Sequence, residues 1–158
     1  MTQQHKIATL ATIFSEVLAD LAFMFTEDDR PDADPAAAWL ETKIGYSGSE
    51  CGNLRFRCPE AFCTRLAANL LGVDPDDGDA ECQSRDAVKE FMNVVCGHFV
   101  TSMYGTQEVF DLSIPETAPL SEPPDLSIND GECVSTMTVE GFAVQLEYEP
   151  RTQAEAVG

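Results

Sequence analysis

The spacing of the apolar residues alternates between two periods along the chain, and this alternation restricts the fold more than any other feature of the sequence. A spacing of three or four residues places side chains on one side of a helix, whereas a spacing of two places them on one face of a strand. The resulting order is a helix, two strands, two helices and about four strands. This order is typical of a sheet covered by helices, so the predicted fold class is α+β. The periodicity leaves the strand order open.

The first helix is predicted to run to about Phe25. Its apolar residues, expected to face the sheet, are Ile7, Leu10, Phe14, Val17, Leu18, Leu21 and Met24. Residues 39–46 and 54–58 then alternate in polarity on either side of turn residues, which predicts a β-hairpin.

The second helix is expected to have Pro59 in its first turn and to end at Gly72. Its predicted core face consists of Phe62, Cys63, Leu66 and Leu70. The acidic stretch 74–81 is interpreted as a solvated linker, because it lacks the ligand register and the terminal bidentate Glu of a calcium-binding loop.

The third helix is predicted to start near Arg85, with Ser84 as its N-cap and Asp86 in its first turn, where an acid complements the helix dipole. Its apolar face comprises Val88, Phe91, Met92, Val95, Phe99 and Met103. Its opposite face comprises Asp86, Glu90, Asn93 and Gly97. The plain interpretation is that this face is polar only because water lies outside it. Its residue types favour a function instead, since Lys and Arg are absent from the stripe and Asn is disfavoured within helices.

The rest of the chain reads as strands. Residues 110–114 alternate in polarity and stop at Pro115, and the proline-rich stretch 115–124 is predicted to be a loop. Leu126 and Ile128 suggest a further strand. Residues 134–139 and 142–148 are predicted to form a hairpin around a turn at Glu140-Gly141. A single domain is expected over residues 1–150, with residues 151–158 a disordered tail.

The spacing Asp86-x3-Glu90-x2-Asn93, followed by Gly97 and then Pro115, resembles the signature of the CheC/CheX/FliY chemotaxis phosphatases. In that family an Asp or Ser stands four residues before a Glu, an Asn follows three residues later, a Gly four after that, and a Pro some twenty residues on. The resemblance covers nearly the whole chain and is strongest to the single-site, CheX-like branch.

The resemblance implies a two-layer α/β arrangement, in which long helices cover a mixed, largely antiparallel sheet. Members with two sites carry a second copy of the motif in the first helix. In this chain Ser15-Glu16 is followed by Ala19 where Asn would be required, so one site is expected. The resemblance also implies a homodimer formed by strand pairing.

The implied activity is that of a phosphatase that hydrolyses the phosphoryl-aspartate of a CheY-like response regulator. The regulator holds the Mg²⁺ and a Lys itself, so this chain is expected to need no cofactor of its own. Asn93 is the expected catalytic residue that positions the attacking water, because an amide donates and accepts hydrogen bonds without adding charge. By the same resemblance, Glu90 docks on the regulator's active-site Lys.

Four further residues have supporting roles by resemblance. Asp86 is expected to contact the partner at the rim, Gly97 to let the helix approach the partner closely, and Pro115 to complete the signature. His98 stands where the family often has Asn or Arg, and it is a candidate partner contact.

The composition excludes several other classes of function. The formal net charge is −19, from 28 acidic residues against 9 Lys and Arg, which argues against nucleic acid and anionic membranes as partners. No stretch approaches the ~20 apolar residues of a membrane span, and the first residues carry no cleavage site for export. A cytoplasmic protein is therefore expected.

Six cysteines are present, at positions 51, 58, 63, 82, 96 and 133. They are expected to be reduced thiols in a protein of this kind, and their spacing does not match that of a zinc site. No metal site is therefore expected.

Two alternatives to the phosphatase remain open. One is a non-catalytic module that binds a response regulator with the same fold, which is compatible with Phe91, Val94 and His98 in place of the more usual Leu or Ile, Met or Ile, and Asn or Arg. The other is a small metalloprotein built on the cysteines or on the acidic stretch.

Overall fold

The computed structural model describes residues 3–27, 37–74, 76–126 and 133–151 of the 158-residue chain. The helices in these residues are α1 (Gln3–Val17), which continues as a short π-helix (Leu18–Ala22), α2 (Glu60–Leu71) and α3 (Gly78–Tyr104). The strands are β1 (Thr26–Glu27), β2 (Trp39–Ser47), β3 (Gly52–Pro59), β4 (Asp111–Leu112), β5 (Glu116–Leu120), β6 (Val134–Val139) and β7 (Phe142–Pro150). The predicted α+β fold class is confirmed, and the predicted order of elements holds apart from the short strand β1, which was not predicted.

The described strands form one sheet in the order β1-β6-β7-β3-β2-β4, and β5 pairs with β2 on the same edge as β4. Every pairing among them is antiparallel, which agrees with the expected largely antiparallel sheet and lacks only the parallel pairing that would make the sheet mixed. The hairpins β2–β3 and β6–β7 are joined by tight turns, which force neighbouring strands to run in opposite directions. The Glu140-Gly141 turn is confirmed, with both residues at positive φ.

One face of the sheet is covered by the three helices through a core of aromatic rings. Phe14 of α1 lies 5.0 Å from Phe56 of β3 and 5.4 Å from Phe91 of α3, between ring centroids. Phe62 of α2 lies 5.6 Å from Phe56. All four side chains are buried, so α3 is held against the sheet in one rotational setting.

The opposite face of the sheet carries charged side chains that pair across neighbouring strands. Arg57 of β3 lies 2.7 Å from the carboxylate of Glu41 on β2 and 3.0 Å from that of Glu147 on β7. Arg55 lies 3.1 Å from Glu149, and hydrogen bonds from Asn53 and Arg55 lower the pKa of that carboxyl. A polar face of this kind needs no second layer of helices.

Helix α3 begins at Gly78, so the predicted start near Arg85 is wrong. The N-cap is Asp77, whose carboxylate accepts a hydrogen bond from the N–H of Asp79 at 2.9 Å. Ser84 lies inside the helix, where its hydroxyl donates to the carbonyl of Glu81. Part of the predicted acidic linker is therefore the first turn of α3, because acids stabilise a helix N-terminus.

Two leucines predicted to lie in the core are exposed instead. Leu21 is 43% exposed, because it falls in the π-helix, where the wider turn breaks the three-to-four-residue spacing. Leu70 is 37% exposed in the last turn of α2, where it faces a groove described below.

Pro59 is the last residue of β3 and the N-cap of α2, rather than a residue of its first turn, and Gly72 ends α2 in the left-handed conformation as predicted.

The predicted loop at 115–124 is wrong for residues 116–120, which form the edge strand β5. Pro119 is tolerated there because an edge strand needs hydrogen bonds on one side only. Of the strand predicted at 110–114, only Asp111–Leu112 pairs. Leu126 lies in a turn, and Ile128 is outside the described residues.

The predicted tail begins with a residue that is held in place. Arg151 donates a hydrogen bond from its guanidinium to the carbonyl of Tyr46 at 2.9 Å. Residues 152–158 are outside the described residues.

Candidate functional site

A groove of about 910 Å³ crosses the outer side of α3. Its floor is the outward face of α3, and its two walls are the C-terminal end of α2 and the segment that joins β4 to β5. The lining residues are Leu70, Leu71, Gln83, Asp86, Ala87, Lys89, Glu90, Asn93, Leu112, Ser113, Ile114 and Pro115.

The polar side chains on the floor come from successive turns of α3. Asp86, Glu90 and Asn93 are all exposed and line the same groove. Lys89 lies beside them, 4.0 Å from the Asp86 carboxylate. Among the described residues, the side chains of Glu90 and Asn93 have no hydrogen-bond or ion-pair partner, so both side chains are available to a binding partner.

The orientation of these side chains follows from the opposite face of α3. Phe91, Met92 and Val95 are buried against the sheet and the other helices. Residues three and four apart share a helix face, so burying this set turns Glu90 and Asn93 outward. The predicted two-faced helix is therefore confirmed.

The longer helix changes the interpretation of Asp86. It was predicted to lie in the first turn, where the helix dipole would explain an acid. Since α3 begins at Gly78, Asp86 lies beyond the first turn and outside the short range of the dipole. Its position on the groove floor gives it a different surrounding, beside Lys89 and Glu90.

One wall of the groove is shaped by a β-bulge between β4 and β5. Ser113 lies opposite Gly45 and makes two hydrogen bonds with it, both 2.8 Å long. The N–H of Ser113 donates to the carbonyl of Gly45, and the N–H of Gly45 donates to the hydroxyl of Ser113. Glu116 lies opposite Lys43, so that Ile114 and Pro115 together face the single residue 44. An extra residue in one strand redirects the side chains of that strand. Ile114 is accordingly 86% exposed at the edge of the groove.

The remaining predicted site residues lie in different places. Pro115 lines the groove, whereas Gly97 and His98 do not. Both lie further along α3, with Gly97 half-buried and His98 exposed. A Cβ added at Gly97 would meet no atom within 4 Å, apart from the helix's own backbone, so the space above this residue is open.

Several groove residues were missed by the sequence analysis, above all Leu70, Leu71, Lys89 and Ile114. Leu70 and Ile114 follow the local apolar spacing, which is the same for a core side chain as for a groove wall. Lys89 directly precedes Glu90, but nothing in the motif points to it.

The residues of the groove restrict its chemistry. Of the described residues that line it, none is a histidine or a cysteine, and the hydroxyl of Ser113 is engaged by Gly45. Proton transfer by an imidazole and attack by a thiolate are therefore not provided from within this lining. An unpaired carboxylate and an unpaired amide can instead orient a water molecule and a cationic group of a partner.

None of the six cysteines lines this groove. The Sγ atoms of Cys58 and Cys63 are 3.4 Å apart without a disulfide, and burial raises the pKa of the Cys58 thiol. Burial also raises the pKa of Cys96 to about 12. In the described part of the chain no three His, Cys, Asp or Glu side chains are grouped so that they could hold a metal ion.

No helix within the described ranges is long and apolar enough to cross a membrane.

Comparison with known proteins identifies both the family and the fold. The model of the family described as "Chemotaxis phosphatase CheX" matches residues 42–124, which is more than half of the chain and includes the whole motif. No curated protein matches the chain.

Solved structures of similar fold include CheX from Desulfovibrio desulfuricans, with a TM-score of 0.67 and 14% identity over 93% of this chain and 99% of that one. The CheX–CheY–BeF3–Mg²⁺ complex from Borrelia burgdorferi matches with a TM-score of 0.60 and 18% identity, over 92% and 97% of the two chains. FliY from Thermotoga maritima matches with a TM-score of 0.54 and 13% identity, over 90% and 89%. At these identities the likeness shows the fold.

Proposed function

Because the chain belongs to the family of the chemotaxis phosphatase CheX, we propose that it hydrolyses the phosphoryl-aspartate of a CheY-like response regulator. One observation carries the proposal. Glu90 and Asn93 are exposed, unpaired within the described residues and one helical turn apart on the floor of a groove, on a helix whose other face is buried. The similar structure that contains CheY bound to CheX supports the choice of partner.

In the proposed reaction, the groove receives the regulator so that Asn93 reaches its phosphorylated aspartate. The Asn93 amide holds a water in line with the phosphorus. The water oxygen bonds to phosphorus while the bond from phosphorus to the aspartyl oxygen breaks, which regenerates the carboxylate and releases inorganic phosphate with the proton of the water. Such transfer depends mainly on positioning and on charge neutralisation, and the Mg²⁺ held by the regulator supplies much of the latter.

The other motif residues have roles in docking. Glu90 pairs with the Lys of the regulator's active site, which fixes α3 against the phosphorylated pocket. Asp86 makes a second contact at the rim and Pro115 completes the wall beside it. Gly97 lets the helix come close to the partner, and His98 contacts the partner beyond the groove. We also propose that two chains pair through strands into a homodimer.

The central experiment measures loss of phosphate from purified, phosphorylated regulators with and without this protein. Asn93→Ala should slow the protein-dependent loss by roughly 10²-fold or more, the scale expected when a reactant is misplaced. Gln107→Ala is the matched control, since Gln107 is also an exposed amide but lies outside the groove. If Asn93→Ala removed phosphate as fast as the wild type, Asn93 would not be the catalytic residue. A wild type that binds the regulator without turnover would support the non-catalytic module instead.

A second variant separates docking from catalysis. Glu90→Ala should mainly weaken binding to a regulator held in its activated form by beryllium fluoride, because it removes the carboxylate that pairs with the partner's Lys. Glu81→Ala removes an exposed carboxylate from the same helix outside the groove and should bind as the wild type does. Unchanged affinity of Glu90→Ala would remove the assigned role.

A further inference from the structure

The groove is lined by exposed apolar side chains as well as by its polar floor, and the proposed chemistry does not use them. Leu70 and Leu71, at the end of α2, are 37% and 50% exposed. Ile114 lines the groove from the segment that joins β4 to β5. Single exposed apolar side chains are common on protein surfaces. Three that flank one groove with a polar floor have the composition of a binding site.

Both walls are held in place by the fold. Ser113, next to Ile114, is fixed to Gly45 by two hydrogen bonds in opposite directions. The last turn of α2 is closed by Gly72, whose N–H donates to the carbonyl of Ala68. A surface that is ordered before binding loses little conformational entropy when a partner arrives. The walls are therefore suited to binding a rigid partner.

The charge of the floor restricts what can lie between these walls. Asp86 and Glu90 give the floor two carboxylates, and Lys89 lines the groove beside them as a basic residue. A partner must therefore bring positive charge to the floor and apolar surface to the walls. An acyl phosphate in a protein pocket is accompanied by cations that neutralise its oxygens, so such a pocket meets the first requirement.

We propose that Leu70, Leu71 and Ile114 form a hydrophobic clamp that holds the apolar rim around the phosphorylated pocket of the response regulator. This inference rests on the proposed function and assigns a separate task to a separate set of residues. The clamp contacts the partner away from the reacting atoms, so its contacts are the same before and during phosphoryl transfer. Such contacts set the affinity and leave the rate of the chemical step unchanged.

The test uses Ile114→Ala and Leu71→Ala, with Val109→Ala as the matched control. Val109 and Ile114 are both 86% exposed and lie on the same segment after α3, but only Ile114 lines the groove. For Ile114→Ala we expect KM, and the Kd for the beryllium-fluoride-activated regulator, to rise about tenfold with kcat unchanged, the size typical of a contact that matters in an interface. Leu71→Ala should act in the same direction, and Val109→Ala should match the wild type.

The salt dependence of regulator binding provides a second test with the same variants. Screening weakens contacts between exposed charges and leaves apolar contacts in place. The affinity lost in Ile114→Ala should therefore persist at high salt, whereas that lost in Glu90→Ala should shrink. Circular dichroism and thermal melting of each variant establish that the fold is retained.

The outcomes separate this inference from the proposed function. If the wild type dephosphorylates the regulator, and both clamp variants have the same KM and Kd as the wild type, the clamp inference is wrong and the proposed phosphatase activity is retained. If the wild type binds without turnover and Ile114→Ala weakens that binding, the clamp stands and the catalytic proposal fails. A fall in kcat at unchanged KM would overturn the clamp. So would a change in the mass of the assembled protein without a change in regulator binding, since the walls would then hold a second copy of the chain.

Discussion

At the scale of single residues, α3 contains two that weaken the helix in which they lie. Glycine in a helix interior costs about 1 kcal/mol relative to alanine, and asparagine costs roughly 0.7 kcal/mol or less. Asn93 has no partner among the described residues that would offset this cost, and the space above Gly97 is open. Stability does not explain either residue, whereas contact with a partner would explain both.

Gly97→Ala is expected to separate stability from binding. Apart from the backbone of its own helix, the added methyl group meets no atom of the protein within 4 Å. The free energy of unfolding should therefore rise by up to about 1 kcal/mol, as measured by urea denaturation. The affinity for the activated regulator should fall, because the methyl group occupies space that the partner approaches. Ser102→Ala, exposed on the same helix outside the groove, should be stabilising without affecting binding. Full affinity in Gly97→Ala would show that no partner comes close at this position.

At the scale of elements, the start of α3 decides how the motif is presented. Asp77 and Ser84 are both acceptable N-cap residues by type, and the sequence alone favoured Ser84. The structure has Asp77 as the cap, which extends the helix by about two turns before the motif. Those turns add Gln83 to the lining of the groove, and they place Asp86 and the rest of the floor in the body of a long helix rather than at a frayed end.

The identity of the cap can be checked by two substitutions. Asp77→Ala should lower the free energy of unfolding by about 1 kcal/mol, since it leaves an N–H group of the first turn without its acceptor. Ser84→Ala should change it little, because its hydroxyl bonds to a carbonyl within the helix. Urea denaturation of both variants provides the comparison, and equal losses would contradict Asp77 as the cap.

At the scale of the whole molecule, the sheet has strand edges that the described residues leave open. Strand β5 pairs with β2 on one side only, and β1 pairs only with β6. An unpaired edge offers N–H and C=O groups to another strand. The proposed homodimer would use such an edge.

The proposed homodimer can be tested by measuring the mass of the protein in solution. Light scattering at micromolar concentration should give a mass twice the 17.2 kDa of one chain. A mass of 17.2 kDa over the whole concentration range would contradict the dimer. The regulator assay at concentrations above and below the midpoint of dissociation would then show whether each chain carries a complete groove.

Much of the fold could be predicted because the relevant information is local. The face of α3 that is buried follows from the spacing of Phe91 and Val95, and the final hairpin follows from its alternation and its Glu140-Gly141 turn. Predictions failed where the local spacing was interrupted. The π-helix moved Leu21 out of the core. The bulge at Ile114 and Pro115 lies where the strand predicted at 110–114 was expected to end, and β5 follows it where a loop was predicted.

The sequence by itself determined most of the elements, the polar stripe on α3 and the family signature, because helix and strand periods and motif spacing are properties of neighbouring residues. Only the tertiary structure decided that Leu70, Leu71 and Ile114 line the same groove as that stripe. These residues are distant along the chain, and an apolar side chain has the same local pattern in a core and in a groove wall. Which of the two it becomes depends on what the other elements leave uncovered.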